Sequence, residues 1–500
     1  MRVVVAGAGV GGLAAGIRLA AAGHAVTVLE QAPAPGGKAG RLEIDGYRFD
    51  TGPSLLTLPD ILAGLFADTG EPLADELELL PVEPVTRYRF ADGSQVQLSA
   101  DLPRAVAALE AWSPGAGTDW AAFLDLCAGM WSAALPVLTS PAPWPPHRPR
   151  PGDPAPDPRS LLRVRPWETL SGLARRRIRD PRLRMVVERF ATYAGADPRR
   201  APAALALAGY VEHAFGAWHV RGGLYEIVRA LERRLHAVGA TLCAGAEVVD
   251  IELAGGRVTG VRTAAGEHIA CDVVIWNGDA AALPAALPGA DRADRGVRGR
   301  RARAIRRAAD GERSLSGFAL MLGLSGFTPG LAHHTILFPW DYGAEFDDIF
   351  TARRPVRDPT LYVSASAITG AGEAPAGSEN WFVLVNAPVH GPAGVDWIAT
   401  ADRYEEEVLE HLARRGLDVG DRIEVRARRT PADLERETGA WGGAIYGAAP
   451  HGRLGTLRRP ANVVTAARGL FLVGGTTHPG GGLPLVLLSA KIVADQIGPA

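Results

Sequence analysis

The sequence predicts an α/β fold: a parallel-sheet, dinucleotide-binding domain assembled from separated pieces of the chain, with an α+β substrate domain inserted between them. Three stretches carry this expectation. Near the N-terminus an apolar run, Val3 to Ala6, leads into Gly7-Ala8-Gly9-Val10-Gly11-Gly12, a small-residue helix pattern to Leu19, and a second apolar run from Ala25 that ends in Glu30. A helix pattern over 224–236 then precedes several strand-like runs, the last from Asp272 to Asn277. The final sixty residues turn glycine-rich again and open a helix pattern from Leu485 to Gln496. Strand, helix and strand at such spacing is the pattern of a Rossmann-like parallel sheet.

In the first stretch each glycine has its own task. Gly7 allows the tight turn, Gly9 lets the backbone approach a pyrophosphate, and Gly12, with Gly16 one turn on, lets the helix lie close to the sheet. The helix N-terminus presents free amides and its positive dipole end to the phosphates. Glu30 stands where a carboxylate accepts hydrogen bonds from an adenosine ribose, and its charge repels a 2′-phosphate. Arg18, His24 and the glycines break the apolar run too often for a signal peptide or membrane span.

Five hundred residues suffice for two or three domains, and 47% hydrophobic with 22% charged residues is the balance of a globular protein with a large core. Fifty-three basic against fifty-five acidic residues gives a net charge of −2, which argues against a nucleic-acid partner. Cys127, Cys243 and Cys271 are scattered without a CxxC, so neither a disulfide framework nor a zinc site is expected, and the usage suits a reducing cytoplasm.

After Glu30, the loop Gln31 to Arg41 carries Gly36-Gly37-Lys38, which suits a pyrophosphate or ribose already held by the first turn; an ordinary solvated turn is the alternative. Tyr47 to Ser54 reads as a strand closed by Gly52-Pro53. Tyr88 to Leu98 reads as a hairpin about Asp92-Gly93, and helix patterns follow over Pro103–Trp112 and Trp120–Ala134. Pro141 to Pro158 is proline-dense and cannot be regular helix. Trp131, Trp144 and Trp167 beside Arg148, Arg150, Arg163 and Arg165 suit lipid headgroups as well as a surface loop and core.

Further on, Ala240 to Ala244, Glu247 to Ile251, Val258 to Arg262 and Asp272 to Asn277 are read as strands returning to the nucleotide-binding sheet. Arg292 to Arg307 holds eight arginines, a solvated helix face or an anionic-membrane contact. His333-His334 is not expected to bind metal, because adjacent side chains point apart and no third ligand is near in sequence. Leu361–Ala367 and Trp381–Asn386 are strand-like. Gly439 to Gly447 is a glycine loop with aromatic insertions. Gly469 to Gly475 is a strand running into glycines, and Thr476 to Pro484 opens the last helix. Two glycine–helix junctions at opposite ends of the chain suit one long cofactor, FAD. The expected layout is a cofactor domain from 1–80, 216–290 and 440–500, a substrate domain from 81–215 and 291–439, and a helical, membrane-facing segment about 120–185.

These motifs resemble the bacterial carotenoid desaturase family, of the phytoene-desaturase type, within the FAD-dependent amine-oxidase-like superfamily. The likeness runs through Phe49-Asp50-Thr51-Gly52-Pro53, His333-His334-Thr335-Ile336, Glu345 to Phe350, Asp358 to Val363 and Val473 to Pro484. It implies that Gly7, Gly9 and Gly12 meet the FAD pyrophosphate, that Glu30 meets the ribose, and that Gly37 and Lys38 lie along the phosphates. Val248 would meet adenine through its backbone, and Gly475, Gly482, Leu483 and Pro484 would flank the pyrophosphate and the flavin ring. No cysteine lies near the last motif, so the FAD is expected to be non-covalent. Ser489-Ala490 stands where many members have Ser-Gly. Glu379 to Pro388 is more similar to the hydroxycarotenoid 3,4-desaturase branch.

The implied activity is desaturation of a long acyclic carotenoid or carotenoid precursor by hydride transfer to flavin, with the enzyme peripheral on the inner face of the cell membrane; the electron acceptor, oxygen or a quinone, is not told by the sequence. A soluble flavin amine oxidase and a redox-inactive FAD-binding carotenoid carrier are the alternatives. No catalytic residue is assigned from the sequence; Lys38, Asp50 and His478 are equal candidates for the proton acceptor.

Overall fold

The computed structural model describes residues 1–141, 162–287, 311–370 and 372–500. The arginine-rich stretch and most of the proline-dense stretch, with Trp144, Arg148 and Arg150, lie outside the described residues.

The nucleotide-binding sheet has five parallel strands, in spatial order Leu470–Leu472, Val273–Trp276, Arg2–Ala6, Ala25–Glu30 and Thr241–Ala244. Its strands come from both ends and the middle of the chain. Alternation decides the packing: Val3 and Val5 face the helices Val10–Ala21, Tyr225–Ala237 and Leu483–Ile497, while Val4 faces the other side. That other side is covered by an antiparallel sheet, Val248–Ala254, Arg257–Thr263 and His268–Ala270, through Ile251, Val258 and Val261. Two runs expected to join the parallel sheet therefore form a separate layer. The reason is the turn: Gly255 and Gly256 both take positive φ, which closes a two-residue hairpin and makes the flanking strands antiparallel.

A second, seven-stranded sheet runs in the order Ile423–Arg429, Ser316–Ser325, Ser378–Ala387, Leu361–Ser364, His334–Leu337, Thr86–Arg89 and Gln95–Leu98. The hairpin at 86–98 is thus joined to strands more than two hundred residues later, through a parallel pairing of Arg87 with Thr335. In Ser316–Ser325 the residues Phe318, Leu320, Leu322 and Leu324 pack beneath the helix Trp397–Arg414. The alternate residues face the opposite way, Gly317 and Ala319 onto a cleft and Met321 onto Tyr47 and Phe49 of the hairpin Arg41–Asp50. A helical layer, including Leu102–Trp112, Ala116–Thr139, Pro181–Arg189 and Leu207–Ala214, packs around Trp120, Phe123 and Phe190.

The helix Val10–Ala21 is pressed onto its own turn. A Cβ at Gly12 would run into the carbonyl of Gly7, and one at Gly11 would come within 2.7 Å of Asn277 Oδ1. Gly12→Ala should therefore force the helix off the sheet, at a cost of about 1–3 kcal/mol for overpacking. Urea denaturation of the purified variant measures it; an unchanged midpoint would contradict the close approach.

Candidate functional site

Two cavities meet in the middle of the molecule. The first, about 480 Å³, is a cleft along the carboxyl ends of the parallel strands, the usual ligand position in such sheets. Gly7, Gly9, Glu30, Gly37, Lys38, Val248, Gly475, Gly482 and Leu483 all line it. Gly12 does not; it is buried beneath the turn and acts on the backbone packing alone. Pro484 lines the second cavity rather than the cleft.

The cleft fits FAD by its donor set. Neither the helix Val10–Ala21 nor the helix Leu483–Ile497 has a side-chain cap, since Gly9 and Gly482 occupy the capping positions, and both of these glycines line the cleft. First-turn amides without intrahelical partners are what a pyrophosphate accepts from. Glu30 is buried, and its two carboxylate oxygens accept from the amides of Ala8, at 2.6 Å, and Ala32, at 2.9 Å. It therefore braces the glycine turn as well as bordering the cleft.

Lys38 does more than border the phosphate path. Its Nζ donates to the carbonyls of Ala444 (2.9 Å) and Ile445 (2.6 Å), tying the 439–447 loop across the cleft. Burial, with Arg429 and Arg459 nearby, lowers its pKa to about 8 against the opposing pull of Asp279. Asn277, Asp279 and Arg459 were not foreseen. Asn277 Nδ2 donates to Gly7 O at 3.2 Å, and Asp279 accepts from the amides of Ala281 and Trp441. Arg459 donates to the carbonyls of Tyr446 and Gly475. The signal for Asn277 was its place just past a buried strand; Arg459 had none.

The second cavity, about 530 Å³, is walled largely by apolar side chains such as Leu55, Trp131, Val137, Phe190, Leu207 and Ile336. Pro53, Phe382, Leu384, Tyr446, Gly482 and Leu483 border both cavities, so the reactive half of a cofactor in the cleft would face whatever fills the second. A few polar groups interrupt the apolar wall. Arg189 donates to Tyr193 OH (2.9 Å) and Tyr88 OH (3.0 Å), and Tyr193 OH donates to Glu212 Oε1 at 2.6 Å. Burial raises the Glu212 pKa, with Arg189 and Tyr193 pulling it back.

The three candidate proton acceptors are placed differently. Asp50 borders neither cavity; it accepts from the amides of Leu224 (2.6 Å) and Tyr225 (2.9 Å), and burial raises it to about 6 despite those bonds. Lys38 is occupied as a donor. His478 borders the second cavity, but its Nε2 is bonded to Ser140 O at 3.0 Å, and burial lowers its pKa to about 4. His333 and His334 do not point apart: their ring centroids lie 4.3 Å from each other, because strand alternation begins only at His334.

Residues 10–308 match the family described as flavin containing amine oxidoreductase. Over 512 residues the chain is 33% identical to a 4,4'-diapolycopene oxygenase of Methylomonas sp, covering 99% of this chain and 98% of the relative. It is 34% identical to a hydroxyneurosporene desaturase of Rubrivivax gelatinosus over 506 residues, 99% and 93% of the two chains. This chain belongs to the flavin-containing amine oxidoreductases, in their carotenoid desaturase branch. In fold it is similar to an oxidoreductase from Methanosarcina mazei, with TM-score 0.65 at 18% identity, covering 99% of this chain and all of that one. The family's cofactor is FAD, and the cleft supplies its donor set.

Glu30→Ala removes the hydrogen bonds to the amides of Ala8 and Ala32 and the carboxylate that closes the second strand. At about 1–3 kcal/mol for such bonds, FAD retention should weaken on the order of 10- to 100-fold. Absorbance of the purified variant measures this; a protein as yellow as the parent would show that Glu30 does not hold the cofactor.

Proposed function

We propose that this protein desaturates a long acyclic carotenoid that carries a hydroxyl group, working at a membrane surface. One observation carries the reading: a largely apolar cavity borders the cofactor cleft along Gly482 and Leu483 and holds a polar cluster in its wall, the buried Arg189 and Glu212 with the partly buried Tyr193. Bound FAD supplies the two-electron acceptor. The chain supplies orientation and dryness: Phe382, Leu384 and Tyr446 hold a C–H bond against the cofactor and keep water out. A hydroxyl on one end of the polyene satisfies the polar cluster, whereas a pure hydrocarbon leaves it facing apolar carbon. The relative named for hydroxyneurosporene supports the same choice.

The membrane part of the reading rests on exposed apolar side chains close in sequence to the cavity wall. Leu138, Val164 and Leu454 border the cavity, and Leu454 itself, with Leu135, Leu162 and Trp167, is exposed. Arg165 lies over the Trp167 ring at 5.6 Å, and Arg175, Arg176 and Arg177 end the next helix. Exposed apolar side chains with arginines close in sequence suit an anionic bilayer. Among the described residues one helix, Ala116–Thr139, is long and apolar enough to cross a membrane. Its buried face, with Trp120, Phe123, Cys127 and Met130, packs into the helical layer, so it is read as bordering the bilayer and not as crossing it.

Three experiments test the reading. Co-expression with carotenoid precursor pathways should give products lighter by two hydrogens, with longer-wavelength absorbance, from hydroxylated acyclic substrates; a gain of oxygen instead would assign the chain to the chemistry of its oxygenase relative. Tyr193→Phe with Glu212→Gln should lower kcat/KM for the hydroxylated substrate at least about 10-fold and leave the unhydroxylated one unchanged, because a site built for a hydroxyl discriminates through its hydrogen bonds. Equal effects on both would remove the specificity assignment. In flotation with anionic liposomes at low salt the parent should rise with the vesicles, and Leu162→Ala with Trp167→Ala should stay largely at the bottom.

A further inference from the structure

Desaturation needs a proton acceptor, and the three candidates visible in the sequence are either bonded elsewhere or away from the substrate cavity. Another group stands in that cavity. Ser54, Tyr362 and His334 all border it, and Ser54 directly follows Gly52 and Pro53, which border both cavities. Ser54 Oγ lies 2.5 Å from Tyr362 OH, and Tyr362 OH lies 2.8 Å from His334 Nδ1. The hydrogens can be counted. If Tyr362 donates to His334 Nδ1, Ser54 must donate to Tyr362, which leaves the Ser54 lone pairs free.

Behind His334 the polar groups continue inward. The His333 ring lies 4.3 Å from it, the His219 ring 4.9 Å from His333, and His219 Nε2 is 2.7 Å from Glu373 Oε1. His219, His333, His334 and Glu373 are all buried. His333 Nδ1 meets Thr369 Oγ1 at 2.8 Å. One nitrogen of each ring, His334 Nε2, His333 Nε2 and His219 Nδ1, is buried without a hydrogen-bond partner. Three such atoms in one cluster are costly for stability and call for a role other than packing.

We propose that Ser54, Tyr362 and His334 are the proton acceptor of the desaturation, with His333, His219 and Glu373 packed behind His334 as positioning residues. The inference rests on the desaturase reading. Two hydrogens leave adjacent carbons of the substrate. One goes with its electron pair to the oxidant, bound FAD. The other leaves as a proton, and the electron pair of its C–H bond becomes the new double bond. Ser54 Oγ takes that proton and passes its own hydrogen to Tyr362, which passes its own to His334 Nδ1. Burial holds both imidazoles neutral, His333 well below the usual range and His334 down to about 3, with His219 and Arg189 adding to the effect on His334. A neutral imidazole carries the lone pair that takes the proton, and a delocalised polyene cation is acidic enough to give a proton even to a base weakened by burial.

The test uses the FAD-loaded enzyme and the carotenoid whose desaturation co-expression detects. Tyr362→Phe and Ser54→Ala should each lower kcat about 100-fold, the scale of general base catalysis, with KM, FAD content and carotenoid binding by absorbance unchanged. The parent should turn over more slowly in D₂O, and that solvent effect should vanish in Tyr362→Phe, because no exchangeable proton then moves along the chain. Rates within threefold of the parent in both variants would overturn the proposal while leaving the desaturase reading intact. So would a loss of rate that follows a loss of FAD. Absence of any desaturated product from the parent removes both.

Discussion

Two helix N-termini left uncapped on one cleft are the constraint from which the rest of the chain's arrangement follows. Gly9 begins the helix at residue 10, Gly482 begins the helix at residue 483, and neither offers a side chain to its own amides. First-turn amides without a side-chain cap are donors that an anionic ligand in the cleft can meet. Bringing the two ends of the chain to one ligand requires the parallel sheet to take strands from residues 2–6, 273–276 and 470–472 side by side. The discontinuity of the cofactor domain is thus a geometric consequence of binding one long dinucleotide from both ends.

Much of that domain was legible because its signals are local. The turn at Gly7–Gly12, the strand closed by Glu30 and the glycines before Leu483 each state their conformation within a dozen residues. The runs at 248–262 were misplaced because strand character does not name a partner sheet; the Gly255-Gly256 turn did, through its positive φ. Long-range pairings were out of reach. Nothing local in Thr86–Arg89 points to Thr335, and nothing in Arg459 points to the carbonyls of Tyr446 and Gly475. The histidine pair shows a different gap: alternation was assumed at 333, one residue before the strand starts.

The same alternation sorts the second sheet into two environments. One face of Ser316–Ser325 meets a helix through large side chains, and the other shows Gly317 and Ala319 to the cleft. Small side chains there keep the cleft open, and Phe382 and Leu384 of the neighbouring strand stand where the cleft and the second cavity meet, so they would border both a bound cofactor and its substrate. The sheet is therefore a partition with a window.

Polar groups in an otherwise apolar cavity must be few and mutually satisfied, and their pattern separates binding from chemistry. Arg189, Tyr193 and Glu212 are linked through the Tyr193 hydroxyl, with Arg189 Nε left buried without a partner, a set that can take up a ligand hydroxyl without moving charge. Ser54, Tyr362 and His334 form an open set, with a hydroxyl at one end and an unpartnered ring nitrogen at the other. Low dielectric sharpens both properties: it strengthens the first cluster's grip and keeps the imidazoles of the second uncharged. On the proposed reading, one largely apolar cavity would hold both the group that recognises an end of the polyene and the group that takes a proton from its interior.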